Sequence, residues 1–381
     1  MLALAHALVR AGHEVAFATA ADFCPHIEKT GFAAHAAGLS LPVQMSEARK
    51  RYPEQSALTA LERFEQFVPR MLAGVAAPAR AERLVPLVAE LQPDVVVHDE
   101  TEFAGPIAAA AAGIPWADQS VGILRPLSMA AQAGATLGPL CDQYGVEVGP
   151  SGGLFRYLYL DVAPPSLQSS EIDQIPVAHA VQNATIEPGA EGEALPAWVG
   201  SLPERPTVYV SLGTVFNTDA GDVFSAVIEG LATEELNVII TVGSGVDPAD
   251  FGHPPDHIHI ERFIPQSQLL PFCDAIVNQG GTAILPMLAR GLPLLLLPQG
   301  ANQFHNAAAC VAAGVGRRLL PGEVTPEAVR RDVLALLNNE GLRTAARGVQ
   351  AELAAMPGPD RGVELLEQLV AERRPLTTVV A

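Results

Sequence analysis

Basic residues are scarce in this chain: 23 Lys and Arg face 42 Asp and Glu over 381 residues, a net charge of −19. They form no stripe, which argues against a nucleic-acid partner and against adhesion to an anionic membrane. Long apolar runs are missing too. The longest run of Leu, Ile and Val alone, Leu294–Leu297, falls far short of the roughly 20 residues a membrane-spanning helix needs. No basic n-region accompanies Met1-Leu2-Ala3-Leu4, so the opening reads as an amphipathic helix rather than a leader peptide. Cys24, Cys141, Cys273 and Cys310 are scattered without a CxxC pair. That spacing supports neither a disulfide framework nor a metal knuckle, and it suits buried free thiols in a reducing cytoplasm. There is no low-complexity tract and no short internal repeat.

One further absence concerns architecture. A doubly wound domain normally begins with a strand that becomes the centre of its sheet. This chain opens directly on the helix that should follow such a strand. Either the strand is lost from this N-terminus, through a wrong start or a truncation, or the domain is built without it.

What is present is an alternation of strand and helix patterns from end to end, which predicts an α/β protein with parallel sheets. With 49% hydrophobic residues the chain can bury a large core, and its length suggests two domains. Leu2–Ala11 reads as a helix closed by Gly12, and Asp22–Thr30 as a helix begun by an Asp cap. Leu124–Gly153 is rich in Gly and Pro and is expected to be an irregular binding loop or lid. Pro188, Pro196, Pro203 and Pro206 mark a linker at 187–206. It separates a first domain, 1–186, from a second, 207–358, and a last helix with its tail follows at 359–381.

The densest stretch runs from Ile276 to Ala307, IVNQGGTAILPMLARGLPLLLLPQGANQFHNA. A strand leads into Gly280-Gly281, a helical run spans Thr282–Ala289, a second strand ends at Pro298, and a polar loop, Gln299–Gln303, opens another helix. A glycine turn between strand and helix lets backbone N–H groups converge on an anion, and the next loop can read what the anion carries. The expectation is a phosphorylated small molecule held at the carboxyl ends of parallel strands.

This stretch resembles the donor-binding motif of nucleotide-sugar glycosyltransferases that decorate macrolides, enediynes and related natural products. PDVVVHDETEFAGPIAAAAAGIP at Pro93–Pro115, TVYVSLGT at Thr207–Thr214 and ERFIPQSQLL at Glu261–Leu270 resemble other segments of the same family. The resemblance implies the GT-B fold: two Rossmann-like domains with parallel sheets, and a C-terminal helix returning to the first. It implies inverting transfer of a sugar from an NDP-sugar, the co-substrate, to a hydroxyl of a small lipophilic acceptor, with no metal or other cofactor. A monomer or homodimer in the cytoplasm is expected. The alternatives are a degenerate homologue that binds without turnover and, less favoured, a GT-B sugar-nucleotide epimerase.

Residue by residue, the resemblance places Gly213 and Thr214 beside the diphosphate and sugar. Backbone near Phe263 and Ile264 would hold the base, with Gln266 near the ribose. Gly280, Gly281, Thr282 and Ala283 would form the phosphate turn, and Asn302 and Gln303 would meet sugar hydroxyls. Asp99 would orient a catalytic histidine expected upstream of Met1. Three positions depart from the family pattern. Gln279 replaces a histidine, Ala283-Ile284 a Gly-Thr or Gly-Ser step, and Asn302 an aspartate. Each exchange removes a charge or a hydroxyl from the donor site.

Overall fold

The computed structural model describes residues 1–182, 194–213, 221–243 and 245–378. The chain divides into two compact units. Unit 1 comprises Met1–Ala163, Gln168–Gly189 and Met356–Ala381, and unit 2 comprises Pro164–Leu167 and Ala190–Ala355. Residues 187–193 of the linker region lie outside the described residues, as does Thr214.

Unit 1 begins with α1 (Leu2–Arg10), β1 (Ala16–Thr19), α2 (Cys24–Glu28) and β2 (Ala33–Ala36). Next come α3 (Leu41–Arg51), α4 (Ala60–Gln66), a π-helical stretch over Phe67–Ala76 and α5 (Ala77–Leu91). β3 (Val96–Asp99), α6 (Ala104–Ala112), β4 (Trp116–Gln119), α7 (Leu127–Tyr144), β5 (Tyr159–Asp161) and β6 (Ala178–Ala180) complete its main body. β1 and β2 form a parallel pair, and β3-β4-β5-β6 form a parallel four-stranded sheet. Helix α1 serves both sheets, because its small apolar residues cover more than one face. Leu4 and Ala7 pack into the core of Ala117, Leu158 and Leu160, whereas Leu2 and Ala5 pack with Phe17, Ile27 and Phe32.

Two sequence expectations fail in unit 1. The stretch Leu124–Gly153 is not an irregular loop: most of it is the 18-residue helix α7. Its glycines serve close packing instead of breaking the helix. A Cβ on Gly134 would lie 1.9 Å from the Pro150 carbonyl oxygen. Met129, Ala130, Ala133, Leu137 and Leu140 form the buried stripe, at the helical spacing that composition had masked. Asp22 does not cap α2 either. The helix starts at Cys24 after Phe23, with no side-chain cap.

Unit 2 contains β7 (Thr207–Ser211), α8 (Gly221–Leu231), β8 (Asn237–Thr241), β9 (Ile258–Glu261), α9 (Gln266–Leu269) and β10 (Ala275–Asn278). It continues with α10 (Ile284–Leu288), β11 (Leu294–Leu296), α11 (Gln303–Ala312), β12 (Gly316–Arg318), α12 (Pro326–Asn338) and α13 (Glu340–Ala355). Its six strands are all parallel, in the order β12-β11-β10-β7-β8-β9. The central strands are buried along their whole length, which explains why they read as unbroken apolar runs rather than alternations. The order of winding reverses between β7 and β10, and ligands of open parallel sheets bind at such a switch point. The final helix, α14 (Pro359–Glu372), returns to unit 1. Gly362 lets it approach α1 closely, since a Cβ there would lie 2.8 Å from Leu4.

Candidate active site

The switch point of unit 2 joins the ends of β7 and β10, where Ser211 stands level with Asn278. Asn278 is 1% exposed and ties the two strands together. Its Nδ2 donates to the Ser211 carbonyl at 2.8 Å, and its Oδ1 accepts from the Gly280 amide at 2.8 Å. Both turns need glycine, with φ +76° at Gly213 and +90° at Gly280. Gln279 folds over them. A Cβ on Gly213 would sit 2.2 Å from the Gln279 Nε2, and one on Gly281 would sit 3.3 Å away. The Gln279 Oε1 is shut off from solvent and has no hydrogen-bond partner among the described residues, a costly state for a buried acceptor.

The loop after β11 closes against this turn. The Gln303 Oε1 accepts from the amides of Gln299 at 2.7 Å and Gly300 at 3.0 Å. Ala301 adopts φ +50° inside the loop, a strained backbone that the surrounding structure must hold. Asn302 precedes α11 without capping it by its side chain, so its carboxamide stays partly exposed. One turn further on, the Nδ2 of buried Asn306 donates to the Gly280 carbonyl at 2.9 Å. The structure therefore gathers Gly213, Gln279, Gly280, Gly281 and Gln303 around the ends of β7 and β10. Thr282 and Ala283 follow on the turn, but the helical run expected over Thr282–Ala289 shrinks to the five residues of α10. Main-chain amides rather than a long helix dipole are thus what this turn offers an anion.

Phe263, Ile264 and Gln266 lie beyond the carboxyl end of β9, across β8 from the glycine turns. Ile264 is buried, whereas Phe263 is 57% exposed. Phe263 lines a cavity of about 660 Å³ together with Pro196, Asp247, Ile260, Arg262 and Pro265.

In unit 1, Asp99 ends β3. Its Oδ1 accepts from the Thr101 amide at 2.7 Å and from the Thr101 hydroxyl. Capping of α6 falls to Glu102, whose two oxygens accept from the amides of Ala104 and Gly105 at 2.7 and 2.6 Å. Next to Asp99, the buried His98 places Nε2 2.6 Å from the Asp118 Oδ1 and Nδ1 3.0 Å from the Asp99 carbonyl. Burial alone would lower the imidazole pKa, but the Asp118 carboxylate outweighs it, helped by Glu102, and the pKa rises to about 9. Glu100 is buried as well and pairs with Arg125 at 3.1 Å. Burial drives its carboxyl pKa up, and Arg125 only partly opposes this.

Sequence reasoning missed Asn278, Asn306, Glu100 and Asp118. Asn278 and Glu100 each lie one position from a residue already singled out, and nothing in their spacing announced contacts to other elements. Of the four free cysteines, Cys273 and Cys310 are buried, with thiol pKa values pushed by desolvation up to about 12. Among the described residues no group of three His, Cys, Asp or Glu is placed to hold a metal, and no helix is long and apolar enough to cross a membrane.

Two parallel α/β units, the second with a glycine-lined switch point, match the GT-B fold. The chain belongs to the family described as erythromycin biosynthesis protein CIII-like, whose N-terminal domain matches residues 6–213 and whose C-terminal domain matches residues 225–370. It is 31% identical to the L-demethylnoviosyl transferase of Streptomyces niveus, over 99% of this chain and 95% of the relative. The solved structure of the spinosyn rhamnosyltransferase SpnG superposes with a TM-score of 0.80 at 24% identity, covering 96% of this chain and 95% of that one. The glycosyltransferase VinC in complex with dTDP gives a TM-score of 0.76 at 25% identity, covering 97% and 95%.

Proposed function

We propose that this chain is an inverting, metal-independent glycosyltransferase that moves a hexose or deoxyhexose from a dTDP- or UDP-sugar to a hydroxyl of a small lipophilic natural product. The observation that carries the reading is the convergence of Gly213, Gln279, Gly280, Gly281 and Gln303 at the switch point of unit 2. A dTDP donor is favoured by VinC and by SpnG, solved with DTDP and with thymidine diphosphate. A lipophilic acceptor is favoured by the complex of SpnG with the spinosyn aglycone.

In the reaction, the acceptor oxygen attacks the anomeric carbon while the bond from that carbon to the diphosphate oxygen breaks. The hydroxyl proton would pass to the histidine that the family resemblance implies, and orienting that histidine is the role proposed for Asp99. Charge developing on the leaving diphosphate is met by the main-chain amides of Gly281, Thr282 and Ala283, whereas that of Gly280 is held by Asn278. The exposed ring of Phe263 offers a stacking face to the base.

The test is to supply the chain with dTDP- and UDP-sugars, an aglycone and a chelator. The expected result is release of nucleoside diphosphate and a product of inverted anomeric configuration by NMR, with no loss to the chelator. Absence of both nucleotide binding and transfer overturns the proposal. Gln279→Glu changes shape little but sets a carboxylate beside the diphosphate. Its donor KM is expected to rise at least about ten-fold, from like-charge repulsion in a partly desolvated site. An unchanged KM would place the phosphates elsewhere.

A further inference from the structure

We infer that Asn306 is a positioning residue, which sets the phosphate turn and the sugar loop at a fixed distance from each other. Three elements are linked by two carboxamides. Asn278 joins the end of β7 to the Gly280 amide, and Asn306 joins α11 to the Gly280 carbonyl. Gly280 is thus held at both polar atoms of its own backbone by side chains from two different elements. Both asparagines are 1% exposed. Neither carries charge, so the linkage holds irrespective of pH. Asn306 lies one helical turn beyond Asn302 and Gln303, and its amide donates to the Asn302 carbonyl at 3.0 Å. The loop that reads the sugar is therefore indexed to the turn that holds the phosphates through this one side chain. The main chain of Gln303 is equally close, since a Cβ on Gly280 would lie 3.1 Å from its carbonyl oxygen.

The linkage makes a specific prediction for Asn306→Asp. The substitution preserves shape. An ionised carboxylate cannot donate to the Gly280 carbonyl, whereas a protonated one can. The Oδ1 of Asn306 is buried with no partner among the described residues, so a carboxyl in its place is held above the usual carboxylate range by desolvation. The linkage in this variant is expected to be broken at pH 8.5 and largely restored at pH 5.5.

This inference rests on the function proposed above, so one readout without ligand keeps the two separable. In hydrogen exchange of the free protein, the segment 279–288 of the variant exchanges at least ten-fold faster than wild type at pH 8.5, after correction for intrinsic rates, and close to wild type at pH 5.5. With ligand, calorimetry uses dTDP, UDP, dTDP-glucose and UDP-glucose as probes. The variant loses at least ten-fold in affinity for the nucleotide-sugar, and proportionally less for the bare nucleotide, at the higher pH only. Asn306→Ser, which is neutral and too short to reach, shows the same losses at both pH values. It also reports on the contact if the aspartate variant does not fold. Exchange at 279–288 that matches wild type at pH 8.5 in either folded variant overturns the inference. Faster exchange in a protein whose wild type binds none of the four probes upholds the positioning role and sinks the proposed function instead.

Discussion

Gly280→Ala is expected to reduce donor affinity by about two orders of magnitude while leaving the fold intact. The backbone at Gly280 has φ +90°, which costs an alanine on the order of 1–3 kcal/mol. Its new Cβ would also lie 3.1 Å from the Gln303 carbonyl, so relief requires the turn to move away from α11. Movement weakens the hydrogen bonds that Asn278 and Asn306 make to Gly280, each worth about 1 kcal/mol. A combined loss of about 3 kcal/mol corresponds to roughly a hundred-fold in affinity. The control is Gly281→Ala. That position does not have positive φ, and among the described residues its Cβ would meet only the Gln279 side chain, with Nε2 at 3.3 Å. Its expected effect is within a few-fold. Calorimetry with dTDP and UDP on both variants, with thermal melts to establish folding, decides the matter. Equal affinities for the two variants would show that the backbone at Gly280 does not govern donor binding.

The second large effect is on stability and involves His98. Its pKa in the folded protein is about 9, raised from 6.5. The imidazolium and Asp118 therefore contribute stability that is fully present below about pH 6.5 and is lost as pH rises through about 9. The size is on the order of 3 kcal/mol for the buried pair. Urea unfolding of the wild type at pH 6.5, 8 and 9.5 should show the midpoint falling with rising pH. His98→Gln leaves the Asp118 carboxylate buried without its cation, which is strongly destabilising at neutral pH. The variant should nevertheless lose little more stability between pH 6.5 and 9.5, so the two curves converge at the alkaline end. A wild-type midpoint independent of pH over that window would mean that the pair carries no net charge interaction.

The glycine turn at Gly280 was legible as a local feature before the fold was known, because glycine at a strand end has few uses, whereas Gly213 was marked by the family resemblance. Gly280 and Gly213 follow apolar runs that can only be buried strands, and both prove to need positive φ. The long apolar run before Pro298 likewise identified β11, because a strand covered on both faces shows no alternation. Helix α7 was not legible. Its Gly and Pro content matches that of a loop, and only the close approach of Gly134 to Pro150 explains why glycine is tolerated within the helix. Asn278 and Asn306 were invisible for a related reason. A carboxamide has no period or motif, and its role depends on which backbone atom comes within reach of it.

The amino-acid sequence by itself determined the α/β class, the parallel sheets and the glycine turns. These follow from local rules: burial of apolar runs, and the positive φ that only glycine adopts without strain. Only the tertiary structure decided which turns meet. The winding order placed β7 and β11 on either side of β10; the first adjacency brought Gly213 under Gln279, and the second brought Asn306 to Gly280. Contacts between residues nearly 70 positions apart, such as Ser211 with Asn278, are set by how the strands are ordered in the sheet, which no local spacing encodes.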